Sequence, residues 1–137
     1  MKTRGLASIS AVLLTVVLLS ASLFAGNNPE KVHKATKSEL VSQSLLDGIC
    51  SGNCGLAASA AYYLGELKES RAVIPLMRVL KCSEIEGTRI AAALALTKIG
   101  DSRGTFAVKQ ASRFDDSKYV RRMCKIFSLY TESLSKK

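Results

Sequence analysis

The chain repeats itself with an offset of 32 residues, and this period constrains its fold more than any other feature. Gly55-Leu56 returns as Gly87-Thr88, Ala60-Ala61 as Ala92-Ala93, Leu64 as Leu96, Leu67 as Ile99 and Ser70-Arg71 as Ser102-Arg103. A partial third copy follows, in which Arg89 returns as Arg121 and Glu84 as Asp116. Internal likeness at a spacing of roughly 20 to 50 residues marks stacked supersecondary units, each too small to bury its apolar face alone. The fold this predicts is all-α, an open solenoid of helix pairs rather than a closed core.

The helices can be read from the apolar spacing. Leu56, Ala60, Ala61, Leu64 and Leu67 recur at intervals of three and four and share one face; Thr88, Ala92, Ala93, Leu96 and Ile99 repeat that face one period later. The paired alanines allow two helix backbones to approach closely. Gly100 is the expected helix stop, and Asp101 or Ser102 the next cap, whereas Lys68-Glu69 must close the earlier turn without a glycine. Each second helix follows at once. Pro75 places the start of one just before it, with Leu76, Val79 and Leu80 turned inward. In the other, Gly104 and Ser112 replace Ala72 and Leu80, which predicts looser packing. Ahead of the repeats, Thr36 and Glu39 form a capping-box pattern for a helix with Leu40, Val41, Leu45, Leu46 and Ile49 on its apolar side. Beyond them, Lys125 and Ser128 stand where Ala93 and Leu96 stood, so residues 119–131 are expected to form a C-terminal cap.

Gly87-Thr-Arg-Ile-Ala-Ala-Ala-Leu-Ala-Leu-Thr-Lys-Ile-Gly-Asp-Ser-Arg103 resembles the unit of bacterial HEAT repeats, including the short repeats named after phycobilisome lyases. That pattern runs roughly Val-Arg-x-x-Ala-Ala-x-Ala-Leu-Gly-x-Ile-Gly-Asp-x-Arg, and Asp115-Asp-Ser-Lys-Tyr-Val-Arg121 is similar to its acidic turn and Val-Arg entry. The resemblance spans about residues 55–131, with departures at Thr97, Tyr63 and Ala57. It implies an α-α superhelix of about two and a half helix pairs, used mainly to hold other proteins and not for catalysis.

Lys2 and Arg4 precede an apolar run from Leu6 to Ala25, the layout of a secretory signal peptide cut after Ala25 or Ser22, or else of an uncleaved membrane anchor. The chain is therefore expected to be exported, to the bacterial periplasm or beyond. The domain reading is a signal peptide over 1–25, a flexible leader over 26–37 and a helical repeat domain over 38–133. Export makes disulfides plausible, and Cys50-Ser-Gly-Asn-Cys54 brackets a tight turn that a local bridge could close. Cys82 and Cys124 are expected as free thiols.

Catalytic constellations are not legible. His33 is the single histidine and falls in the leader, so no Ser-His or Cys-His pair and no mixed zinc set can be assembled. Neither Cys-x-x-Cys nor Cys-x-x-Cys-His occurs, and no cofactor is expected. Glu84 and Glu86 read as solvated turn residues. Charge is more informative: residues 26–86 hold seven basic and seven acidic residues, whereas residues 87–137 hold eleven and four, a net of +7. The basic patch is Lys118, Arg121, Arg122 and Lys125; inward-facing partner-binding candidates on the second helices are Met77, Arg78, Lys81, Lys109, Gln110 and Arg113. Arg89 and Arg121 can alternatively serve the fold by bonding turn carbonyls or acids of a neighbouring unit. The expected partner is another protein, with an acidic surface as the complement. Polyanions, whether nucleic acid, anionic lipid or glycan, are the alternative, and the lack of interleaved aromatics weighs against nucleic acid.

Overall fold

Polar residues between the apolar stripes set where each helix starts and stops. A computed structural model describes residues 36–134; the expected signal peptide and nearly all of the expected leader lie outside the described residues. Among these residues, six helices follow one another: α1 (Lys37–Ile49), α2 (Cys54–Glu66), α3 (Val73–Cys82), α4 (Glu86–Ile99), α5 (Ser102–Phe114) and α6 (Lys118–Leu134). Thr36 Oγ1 accepts from the Glu39 N–H at 3.3 Å to begin α1, and Asn53 Oδ1 accepts from the Leu56 N–H at 3.1 Å to begin α2. Gly100 closes α4 in the left-handed region at φ 75°, and Asp101 then caps α5 through the Arg103 N–H at 2.9 Å. One period earlier the same turn is made with Lys68 at φ 50°, after which Glu69 caps the 3₁₀ turn Ser70–Ala72 that leads into α3. Pro75 sits in the first turn of α3, where its missing N–H costs no helical hydrogen bond.

The helices form two layers, α2, α4 and α6 in one and α1, α3 and α5 in the other, with α4 packed against α2, α3, α5 and α6. Contacts at the repeat offset show that α2 and α4 run parallel. Thr88 Oγ1 donates to the Cys54 carbonyl at 3.4 Å near their starts, and Lys98 pairs with Glu66 near their ends. Between these points Gly65 lies directly on α4; a Cβ there would sit 2.8 Å from the Ala95 Cα. The core that joins the layers is built from Ala60, Leu64, Val73, Leu76, Leu96 and Val108, all at most 1% exposed. This is an α-α superhelix. The covalent units α2–α3 and α4–α5, with α6 as a half-unit, give the expected two and a half pairs, and α1 supplies the missing half at the other end.

Some assignments of buried face change. Leu56 and Leu67 were expected inward, yet they are 49% and 53% exposed. At 100° per residue they lie with Tyr63 on the side of α2 opposite the Gly65 contact, where α1 reaches Leu56 only at Gly48 and leaves the side chain half open. Ala57 and Gly65 are buried in their stead. Leu40 and Val41 are likewise exposed, and α1 buries Ser42, Gly48 and Ile49. Gly104 does not loosen α5 as expected. It is buried, and a Cβ there would meet the Leu96 side chain at 2.9 Å, so the glycine permits a close approach. Ser112 satisfies its hydroxyl locally, donating to the Lys109 carbonyl at 2.7 Å.

Candidate partner-binding groove

A groove lies between two helices of one layer. It encloses about 810 Å³ between α3 and α5, floored by Leu80, Ala107 and Ala111 and flanked by Met77, Phe106 and Phe114. Phe106 and Phe114 are 61% and 75% exposed. Apolar side chains left so open, beside a concavity, are the usual mark of a binding surface.

One end of the groove is closed by the turns around Ser83 and Asp115, and Arg89 holds those turns together. Its Nε and Nη2 donate to the two Asp115 carboxylate oxygens at 3.1 Å each, and its Nη1 donates to the Ser83 carbonyl at 2.7 Å and the Glu84 carbonyl at 3.3 Å. The pair is largely buried, at 12% and 9% side-chain exposure, so this bidentate geometry fixes the spacing of two successive units. Arg121 repeats half of the arrangement, donating to the carbonyls of Asp115 and Asp116.

The sequence-derived residues divide accordingly. Met77, Lys81 and Gln110 line the groove; Arg78 and Arg113 are exposed but do not line it. Lys109 turns toward α6 and pairs with Glu132 at 3.3 Å, and it lines a smaller recess of about 220 Å³ with Ser128 and Thr131. In the basic patch, Lys118, Arg122 and Lys125 are exposed on α6, while Arg121 is half-buried and its guanidinium is spent on the turn, so it belongs to the fold and not to the patch. Phe106 and Phe114 were missed. Their sequence signal was available: one period after Ile74 and Cys82, two aromatics occupy positions outside the buried stripe of α5, on a face otherwise carrying Arg103, Lys109, Gln110 and Arg113.

Four free cysteines complete the chemical inventory. Cys50 is exposed at the end of α1 and Cys54 is the half-buried first residue of α2, so the expected local bridge is not formed in this structure. Cys124 is buried in the core, which pushes its thiol up to about 11, with the Asp115 carboxylate adding to the shift. Among the described residues no three His, Cys, Asp or Glu side chains converge as a metal set.

Two stacked helical layers built from a repeated helix pair define an α-solenoid. A family model described as HEAT repeats matches residues 42–126. The chain belongs to the HEAT-repeat family, whose folds commonly mediate protein–protein interaction and are typically non-catalytic. No curated protein matches it.

Proposed function

We propose that the protein is an exported, non-catalytic adaptor that holds a segment of another protein in the groove between α3 and α5. The observation that carries this reading is the pair of open phenylalanine rings, Phe106 and Phe114, beside a concavity of about 810 Å³. Aromatic anchors in a preformed recess concentrate binding energy in a few side chains. The rim carries both signs, Lys81 on one side and Glu84 and Asp116 at the closed end, with Arg78 and Arg113 exposed outside it, so the apolar floor and the two rings, rather than net charge, select the partner. Export rests on the Lys2, Arg4 and Leu6–Ala25 pattern, and the short bacterial repeat type on the likeness of Gly87–Arg103.

Affinity capture from envelope extract tests the groove. Wild-type bait should retain a partner that is lost from the Phe106→Ser/Phe114→Ser bait, with circular dichroism confirming that the variant is folded. Equal recovery by both baits would remove the groove from the function. Export is checked by fractionation and N-terminal sequencing; a chain confined to the cytoplasm would contradict it.

A further inference from the structure

We propose that the outward face of α6 docks on an anionic lipid bilayer. This surface is separate from the groove and does not depend on the adaptor reading. Val120 and Cys124 bury one side of α6 against the core, and among the described residues no helix covers the other. At 100° per residue the exposed positions form two adjoining stripes. One is cationic, with Lys118, Arg122 and Lys125. The other is apolar, with Tyr119, Ile126 and Tyr130 at 58%, 50% and 58% exposure, and Leu129, 57% exposed, continues the cationic line. A cap that only closed the stack would present polar residues here.

Charge selects the occupant. Lys118, Arg122 and Lys125 make no ion pair among the described residues, and the sequence beyond α6 adds Lys136 and Lys137. A second copy packed face to face would oppose three cations to three. A second copy packed head to tail would meet the outer side of α2, where Ser59, Tyr63 and Leu67 offer no acid and Glu66 is already paired with Lys98. An anionic bilayer supplies both complements: headgroup charge for the lysines and arginine, and an interfacial layer in which Ile126 and Leu129 are buried and the tyrosine rings sit at headgroup level. No described helix is long and apolar enough to cross a membrane, so α6 would lie in the plane of the surface.

The chain contains no tryptophan, so a single introduced indole reports its own surroundings. Ile126→Trp and, as the groove control, Phe106→Trp are made in the full chain and mixed with phosphatidylcholine vesicles with or without phosphatidylglycerol. The emission of Ile126→Trp should shift to the blue on the mixed vesicles alone, that of Phe106→Trp should not move, and added salt should reverse the shift. Adding Arg122→Glu/Lys125→Glu to the Ile126→Trp chain should weaken vesicle binding by about tenfold or more. No shift at 126, equal shifts at 126 and 106, or a shift that charge reversal leaves intact would overturn the proposal. A blue shift that appears with protein concentration in the absence of lipid would assign the face to a second copy and overturn it equally.

Discussion

Helix α4 and its two counterparts, α2 and α6, occupy the same register one period apart, yet they bury different residues. Ala95 and Ile99 face α2 and are covered; their counterparts Tyr63 and Leu67 face away from the stack and are exposed. Ala93 and Thr97 are buried, while their counterparts Lys125 and Leu129 are exposed on α6. What differs is the neighbour and not the helix. In a solenoid each unit contacts only the adjacent ones, so the central helix gains two covers and each end helix one. The ends are consequently where surface chemistry is free to vary.

The widest gap should appear between Leu96 and its counterpart Ser128. Leu96 is fully buried and packs on Gly104, so Leu96→Ala should destabilise the fold by about 3–4 kcal/mol in urea unfolding. Ser128 Oγ is buried without a hydrogen-bond partner, so Ser128→Ala should be neutral or slightly stabilising. Similar losses at the two sites would mean that α6 is as much core as α4.

The two arginines sharpen the same contrast. Arg89 bridges its own turn and the acid of the next, whereas Arg121 reaches only carbonyls of its own turn because no described unit follows. Arg89→Ala strands the largely buried Asp115 carboxylate and should cost about 3 kcal/mol. Arg121→Ala should cost about half of that, since it frees two backbone carbonyls and strands no carboxylate. Equal costs in thermal or urea unfolding would show that the inter-unit carboxylate adds nothing.

The turns that end α2 and α4 compare a lysine and a glycine in one conformation. Lys68→Gly should stabilise by roughly 0.5 kcal/mol, because φ 50° strains a residue with a Cβ. Gly100→Ala should destabilise by about 1 kcal/mol for the same reason. Opposite signs are the result to look for.

These cases also show what could be read from the chain. The period, the alanine pairs, the Gly100 stop and the Thr36 and Asp101 caps depend on neighbours a few residues away, and each was legible. The Leu56 and Leu67 assignment failed because apolar periodicity identifies a face without saying whether a helix will cover it. Gly65 and Gly104 were opaque for a related reason: a glycine inside a helix reads as a weakness until the backbone or side chain pressed against it is known. The groove was half-legible. Lys81, Met77 and Gln110 were found by their place on the second helices, but Phe106 and Phe114 were passed over because that face was read for its charged and polar residues alone.

The smallest effect separates the caps of the two equivalent turns. Glu69 accepts from the Arg71 guanidinium at 3.0 Å through each carboxylate oxygen and from the Arg71 N–H at 3.2 Å, and Asp101 does the same with Arg103. The Arg71 hydrogen bonds hold the Glu69 carboxyl down at about 2, with the Ser42 hydroxyl of α1 contributing; Arg103 lowers Asp101, with the Gly104 N–H of its own helix contributing. A carboxyl held low in the folded state stabilises the fold only while ionised. The Glu69 contribution is therefore present above the ordinary carboxylate value of 4.5 and is lost as pH falls from there to about 2. Glu69→Gln should lower the unfolding midpoint at neutral pH and flatten its decline through that acid window, and Asp101→Asn should do so less. An unchanged acid slope in Glu69→Gln would mean that the carboxylate serves the turn only as a neutral cap, a role in which glutamine and glutamate are equivalent.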